Sequence, residues 1–299
     1  MDLAALYDCL TTVSCASMQI SSGLLMGMLL FLVASGLSLI FGVLGVINFA
    51  HGSFYMLGAY LGYTAFTATG SFVVALVVAT LGMAAFGAIF ERVFISRIYG
   101  RDVLMQLLLC YAFVLILDDA VKIIWGADYR LMGLPPTFAM PPIFIGGGPV
   151  PAYYLFLIGF SALVGLVLWL GVTQTLFGKK VRAAAVNPQM VSALGINVKL
   201  LYASVFAIGA GLAGIAGALA APIRSLTPGM GLSILIESFI VTVIGGMGSI
   251  FGAFLAAIII GLTRSLGAIG FPLFIDGAMF AMMALVLILK PSGLMGKAA

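Results

Sequence analysis

The chain has 299 residues, of which 64% are hydrophobic and only 7% charged, and its formal net charge is +4. A soluble domain has about 25% charged residues, and a soluble monomer of this composition would expose large apolar patches. With a mean hydropathy of +1.28, the sequence excludes an ordinary soluble enzyme, a disordered chain and a nucleic-acid-binding protein. It indicates that lipid surrounds the fold.

The apolar segments predict how often the chain crosses a membrane. A transmembrane helix needs about 20 apolar residues, so this length has room for roughly eight to ten. The apolar runs are continuous, whereas strands of a membrane β-barrel alternate apolar and polar residues. The segments lie at residues 18–41, 54–68, 72–90, 103–117, 153–173, 200–221, 232–244, 250–266 and 271–289. We expect an all-α, polytopic membrane protein of eight or nine transmembrane helices with Gly-rich breaks, in which residues 1–299 form one transmembrane domain.

Lysine and arginine residues indicate which helix ends face the cytoplasm, because short cytoplasmic loops carry an excess of them. Basic residues concentrate at 92–101, 179–199 and 290–297, and an even number of predicted spans separates each stretch from the next. We expect all three stretches on the cytoplasmic side, with the C-terminus inside. Residues 118–151 then form the longest outer loop, which either docks an external partner or serves as a connector. Within it, residues 123–125 could form a short interfacial helix.

The cysteines and the histidine show no pattern typical of a metal site. Cys9, Cys15 and Cys110 lack metal-ligand spacing, and the single histidine, His51, excludes a histidine-rich site. Cys9 and Cys15 could form a disulfide if the N-terminus faces an oxidising compartment. The sequence favours the alternative, in which both are small buried apolar residues.

Residues 42–52 interrupt the apolar pattern with three glycines, an asparagine and a histidine. Irregular backbone at membrane depth is tolerated only where it is buried in protein or lines a wet cavity, and polar residues there are functional candidates. Asn48, His51, Gly52 and the following Tyr55 are therefore candidates for a broken helix beside a pathway. The alternative, which the sequence favours, is that Asn48 and His51 cap helix ends at a cytoplasmic turn.

A second interruption consists of Gly245, Gly246, Met247 and Gly248. The residues that follow the two breaks are alike, since Gly-Ala-Tyr-Leu comes after the first and Gly-Ala-Phe-Leu after the second, although the match requires a gap. Paired Gly-interrupted segments in two halves of a membrane chain are a pointer to a transport pathway. We therefore predict that these four residues belong to such a pathway.

Three charged residues fall within predicted spans, namely Glu237, Arg264 and Asp276. Ionisable side chains inside a membrane are costly and usually pair with one another. Arg264 could pair with either carboxylate. An ion pair that holds helices together is favoured over a proton relay.

Residues 177–199 form a basic loop that carries its own helix signals. Asn187 is a good N-cap, Pro188 suits the first helical position, and Gly195 can adopt the left-handed conformation that ends a helix. The sequence therefore predicts a helix of about two turns over residues 188–194, presented to the cytoplasm.

The predicted helix carries Met190, Val191 and Leu194, which are apolar at helical spacing. An apolar face outside the bilayer needs a partner, and a protein would serve. The alternative is packing on the membrane surface, which basic residues such as Arg182 would assist through anionic lipids.

The loop, both breaks and the C-terminal segment together match one known pattern. The loop has Arg182-Ala183, the short helix and Gly195-Ile196, and the runs 36–52, 245–253 and 291–296 follow the same family's motifs in order. The chain therefore resembles the permease subunits of bacterial ABC importers, specifically the branched-chain amino acid permeases of the LivH type. The resemblance covers nearly the whole chain.

This resemblance implies a subunit that forms half of a transport path in the bacterial inner membrane, beside a second permease subunit of the LivM type. Two cytoplasmic ATPases would bind ATP-Mg, and a periplasmic binding protein would deliver the amino acid. The residues expected to couple the ATPases to this chain are Arg182, Asn187, Pro188, Met190, Val191, Leu194 and Gly195. Relatives usually carry an acidic residue near the start of this helix, where this chain has Val-Asn-Pro-Gln, so we expect no ion pair there.

The chain has no Gly-rich phosphate-binding motif, so we expect a transport subunit that binds no cofactor or metal rather than an enzyme. A secondary transporter or channel is the main alternative, and it would need no exposed coupling helix. A membrane serine enzyme would need a serine partnered with His51, and none stands out. The resemblance favours leucine, isoleucine and valine as substrates and leaves open whether the permease pair is a homodimer or a heterodimer.

Overall fold

The computed structural model describes residues 3–296 as a bundle of α-helices with one small β-hairpin. In this part of the chain the α-helices are α1 (Leu3–Thr11), α2 (Val13–Leu44), α3 (His51–Thr69), α4 (Phe72–Val93), α5 (Val103–Trp125), α6 (Ala152–Gln174), α7 (Leu176–Val186), α8 (Pro188–Ala193), α9 (Val198–Ala220), α10 (Met230–Gly245), α11 (Ile250–Gly270) and α12 (Ile275–Leu289). The hairpin pairs β1 (Ile143–Ile145) with β2 (Gly148–Val150) in antiparallel register. The predominance of helix confirms the predicted all-α class.

Helices α2 and α9 form the centre of the bundle, since their most apolar windows are 83% and 78% buried. Glycines make this centre compact, because small residues let helix backbones approach closely. A Cβ atom on Gly27 of α2 would lie 2.6 Å from the carbonyl oxygen of Ala257 in α11. A Cβ atom on Gly217 of α9 would collide with the carbonyl of Tyr55 in α3. Helix α2 therefore packs closely against α11, and α9 against α3.

Each of the nine predicted apolar segments coincides with one helix, namely α2–α6 and α9–α12, although residue 221 lies just after α9 and residues 271–274 lie before α12. Among the described residues, six helical segments are long and apolar enough to cross a membrane. Four of these are α2, α6, α9 and α11. The other two are α4 together with the 3₁₀ turn after it (Phe72–Arg97) and α12 together with the 3₁₀ turn before it (Pro272–Leu289). Helix α10 is apolar but has only 16 residues. The chain is thus a polytopic helical membrane protein, whereas the count of eight or nine spans stays a prediction.

The outermost helices leave apolar surface uncovered. Only 22% of the most apolar window of α6 and 6% of that of α12 are buried within the chain. Helix α5 likewise exposes Leu104 and Leu108. Lipid or other subunits must cover these faces, because apolar side chains of this size are unfavourable in water.

Helix α5 is longer than the sequence predicts, because it runs over Val103–Trp125. Lys122 pairs with Asp118 at 3.5 Å and with Asp119 at 2.9 Å, and such pairs one turn apart support a helix. The expected separate interfacial helix at residues 123–125 is therefore wrong, since these residues form the last turn of α5. The predicted apolar segment ends at residue 117. The pattern of apolar residues does not reveal that the charged pairs allow α5 to continue to Trp125.

Cys9 and Cys15 form a disulfide, which corrects the expectation that both are simply buried apolar residues. Cys9 lies in α1 and Cys15 in the first turn of α2, and the helix is interrupted at Thr12 between them. This bend brings the two Cα atoms to 5.1 Å, within the range that a disulfide requires. The spacing in the sequence does not reveal the bend. Cys110 is free and buried.

A Cys9→Ser, Cys15→Ser double variant is expected to be less stable than the wild type by about 2 kcal/mol, because a cross-link across a short loop removes entropy from the unfolded chain. Thermal unfolding in detergent would measure the loss. Reductant should lower the melting temperature of the wild type and leave that of the variant unchanged. Modification of both thiols in denatured, unreduced protein would contradict the bridge.

Candidate functional site

Helix α8 is a separate short helix, Pro188–Ala193, at the place where the sequence predicts one. The side chain of Asn187 accepts a hydrogen bond from the backbone N–H of Met190 at 2.9 Å, which is the N-cap interaction. At the other end Gly195 has a φ of +83°, and its N–H and the next one donate to carbonyls of the last turn, as in a Schellman motif. The predicted helix is confirmed to within one residue, Leu194.

Helix α8 has an exposed side and a buried side. Met190 and Leu194 are 61% and 73% exposed, whereas Val191 is 3% exposed. Val191 belongs to a buried apolar cluster that includes Leu168 of α6 and Leu201 of α9. The expectation that Val191 faces a partner is therefore wrong, because this side chain anchors α8 to its own chain.

Arg182 has an internal role that the sequence did not predict. Its guanidinium donates hydrogen bonds to the carbonyl oxygens of Val172 and Thr173 at the end of α6. These carbonyls have no partner within their helix, and a cation there also suits the helix dipole. A Cβ atom on Gly178 of α7 would collide with the Val172 carbonyl. Both contacts fix α7, and through it α8, to α6. Arg182 is also exposed, so its expected role as an ATPase contact stays a prediction.

The first break lies at residues 45–50, between α2 and α3. Asn48 and His51 are 0% exposed. Asn48 Oδ1 accepts a hydrogen bond from the Ala50 N–H at 3.1 Å, and His51 Nε2 lies 3.1 Å from the Val33 carbonyl oxygen of α2. These contacts hold the break within the interior of the chain, and its place beside a pathway stays a prediction.

Gly52 and Tyr55 follow on α3 and face other helices. A Cβ atom on Gly52 would collide with the carbonyl of Gly231 in α10, so Gly52 marks the crossing of these two helices. Tyr55 is 2% exposed. Both residues pack inside the bundle, next to the first break.

The second break lies at residues 246–249, and the C-terminal segment folds onto it. The N–H groups of Leu294 and Met295 donate to the last two carbonyls of α10 at 2.8 and 3.0 Å. The N–H of Gly248 donates to the Ser38 hydroxyl of α2 at 3.0 Å. Residues 291–296 of this C-terminal segment match a family motif, but the sequence does not predict that the segment folds onto the second break.

The remaining residues in and next to the second break differ in how far they are buried. Gly245 contacts the backbone of Gly252 in α11, and Gly246 contacts that of Gly296. The Met247 side chain is 49% exposed. Close backbone contact explains the glycines, since a Cβ atom at either position would clash.

Glu237 of α10 and Arg264 of α11 form an ion pair. Their side chains are 10% and 27% exposed. Asp276, in the first turn of α12, makes no ion pair within the described residues, but it lines the same cavity of about 260 Å³. The structure therefore brings the three predicted intramembrane charges together and selects Glu237 as the partner of Arg264.

The chain is thus a polytopic bundle of apolar helices with a short, capped helix, α8, between α7 and α9. A family model described as the permease component of the branched-chain amino acid transport system matches residues 19–289, and the chain belongs to that family. This family consists of transport components rather than enzymes, which confirms the predicted class.

Curated relatives agree with this family. The high-affinity branched-chain amino acid transport system permease protein BraD of Pseudomonas aeruginosa is 30% identical and covers 93% of this chain and 95% of its own length. The corresponding protein LivH of Escherichia coli is 29% identical with the same coverage. A probable branched-chain amino acid transport permease of Methanocaldococcus jannaschii is 26% identical over 90% of this chain and 89% of its own length.

A solved structure, PsaBC from Streptococcus pneumoniae in complex with Fab, shares the fold. Its TM-score is 0.50 at 12% identity, and the match covers 96% of this chain and 94% of that chain. At this identity the likeness concerns the fold alone. It extends over nearly the whole bundle.

Proposed function

We propose that this chain forms half of the transport path of a bacterial ABC importer for branched-chain or closely related amino acids. The permeases that it resembles over 93% of its length are named for branched-chain amino acid transport. In this proposal the chain binds no cofactor or metal itself. Partner ATPases bind ATP-Mg, and their motion drives the conformational change of the transport path.

Helix α8 is the observation that carries this proposal. It is a rigidly capped helix that exposes Met190 and Leu194, with exposed fractions of 61% and 73%. Burying one such side chain contributes about 1.5–3 kcal/mol, and a groove in a partner protein is a common way to bury the apolar side of a helix. Since Val191 ties α8 to α6 and α9, force on α8 would reach the bundle. We therefore assign residues 177–199 as the ATPase-coupling loop.

The rest of the assembly follows from the charge pattern and the uncovered faces. Nine spans, α2–α6 and α9–α12, put the basic stretches after α4, between α6 and α9 and after α12 on one side, which the excess of positive charge marks as cytoplasmic. The C-terminus then lies in the cytoplasm of an inner-membrane protein. A second permease subunit of the LivM type would cover apolar faces such as those of α5 and α12, and a periplasmic binding protein would dock on the outer loop and hairpin.

Purification of the tagged protein from its native membrane in mild detergent is expected to recover a second permease subunit and two ATPase subunits. In proteoliposomes, this complex and its binding protein should take up leucine, isoleucine or valine only when ATP is present. Mass spectrometry and radiolabelled uptake would measure the two results. Recovery of this chain alone, stable and without any ATPase, would contradict the proposal and favour a secondary transporter or channel.

A further inference from the structure

Two cavities lie side by side where α10 meets α12. One is polar, has a volume of about 260 Å³, and is lined by Glu237, Arg264 and Asp276 among others. The other has a volume of about 430 Å³, and its walls are formed by apolar and aromatic side chains of the first break, α5, α10 and α12. The side chains that line both are Ile236, Ile240 and Phe280. These shared side chains place the two cavities directly next to each other.

The polar cavity is lined by two carboxyl groups and one guanidinium. Arg264 pairs with Oε1 of Glu237, while Oε2 of the same carboxylate is buried and has no hydrogen-bond partner among residues 3–296. Asp276 adds a second carboxylate to the lining of this cavity, beside the single guanidinium of Arg264. A buried carboxylate oxygen without a partner is unfavourable. An ammonium group in this cavity would satisfy it, and the guanidinium of Arg264 remains beside it for a carboxylate.

The apolar cavity complements this polar end. Phe49 from the first break and Phe239 from α10 stack with their ring centroids 6.3 Å apart, and both line the apolar cavity. Small-molecule sites combine an apolar lining with a few convergent polar groups and have volumes of about 300–1,000 Å³. An ammonium and a carboxylate at one end and a hydrocarbon group at the other fit this pair of cavities.

We propose that the two cavities form the site on this chain for the transported amino acid. Its ammonium lies between Glu237 and Asp276, its carboxylate faces Arg264, and its branched alkyl side chain fills the apolar cavity. This assignment rests on the proposed function. In the nine-span topology, the polar cavity lies in the outer half of the membrane, because Asp276 starts a helix that runs inward. The amino acid would therefore reach this site soon after its delivery from outside.

A purely structural role explains part of this arrangement. The ion pair joins α10 to α11, and Asp276 in the first turn of α12 suits the positive end of that helix dipole. Neither role involves the free Oε2 of Glu237 or the adjoining apolar cavity. Since Asp276 is exposed and makes no ion pair among residues 3–296, an Asp276→Asn variant separates ligand binding from folding.

The test uses the purified permease–ATPase complex in phosphatidylcholine nanodiscs, without binding protein, and measures the binding of radiolabelled leucine. The wild type is expected to bind leucine saturably, and Asp276→Asn is expected to bind it at least tenfold more weakly with an unchanged melting temperature. The matched control is Asp128→Asn, which neutralises an exposed carboxylate of the outer loop and should leave binding unchanged. Met283→Trp, which fills only the apolar cavity, should weaken leucine binding several-fold more than alanine binding.

Three results would overturn the site. These are no saturable binding by the wild type, equal binding by Asp276→Asn, or loss of leucine binding when phosphatidylethanolamine is added, which would identify a lipid ammonium as the occupant. A second measurement, leucine uptake in the presence of binding protein and ATP, tests the proposed function separately from the site. If the wild type and Asp276→Asn take up leucine equally, only the site is wrong. If the wild type takes up none, the proposed function fails.

Discussion

The double variant Met190→Asp, Leu194→Asp is expected to abolish association of the ATPases while leaving the permease folded in the membrane. Each side chain buried in a partner contributes about 1.5–3 kcal/mol, and each 1.4 kcal/mol changes an affinity about tenfold. Carboxylates would also be desolvated in the same groove, which adds a penalty. Binding should therefore weaken by at least two orders of magnitude. Co-purification and ATP-dependent uptake would both measure the loss.

The matched control replaces exposed side chains on the opposite side of the molecule. Tyr129 and Leu131, in the loop between α5 and α6, are 68% and 65% exposed, close to the values for Met190 and Leu194. A Tyr129→Asp, Leu131→Asp variant should keep its ATPases, because the same change in charge occurs away from α8. Normal uptake by the α8 variant would remove α8 from the coupling role.

The attachment of α8 explains how force on two side chains could move a bundle. Val191 lies in a buried cluster with Leu39 of α2, Leu168 of α6 and Leu201 of α9. The guanidinium of Arg182 adds a second attachment at the end of α6. Packed apolar clusters and hydrogen bonds of this kind transmit displacement because close-packed interiors have low compressibility. Pulling on α8 would therefore move three long helices together.

Helix α8 was predictable because its signals are local. An asparagine N-cap, a proline at the first position and a glycine at C′ act within a few residues of the chain, and the structure realises all of them. The same holds for the nine apolar segments, whose composition requires lipid or protein around them. Residues of other helices determine which side of α8 faces the bundle. The sequence around α8 therefore does not show that Val191 faces inward.

The features that the sequence did not show depend on tertiary contacts. The disulfide requires the bend at Thr12, and the spacing of the two cysteines does not predict this bend. Arg182 finds the end of α6 only because α7 folds back on it. The sequence leaves two carboxylates as possible partners of Arg264. The packing of α10 against α11 brings Glu237 into contact with it. The two neighbouring cavities depend on side chains from several helices.

Breaking the ion pair between α10 and α11 is expected to be strongly destabilising. Removing one member of a buried pair costs about 3–5 kcal/mol, because the other charge stays buried without a partner. Glu237→Leu leaves Arg264 in this position, and thermal unfolding in detergent would measure the loss. Asp276 lines the same cavity and could partly compensate, so the Glu237→Leu, Asp276→Asn variant should be less stable still. A single variant as stable as the wild type would show that the pair does not hold the helices together.

Replacing both members of the pair separates stability from transport. Hydrophobic residues of similar volume often replace a buried ion pair without loss of stability, so Glu237→Leu, Arg264→Met should recover most of the stability that Glu237→Leu loses. If the pair served only to join the helices, leucine uptake would recover with stability. If the pair also receives the amino acid, the stable double variant should still bind leucine at least tenfold more weakly than the wild type, because both the free carboxylate oxygen and the guanidinium are gone.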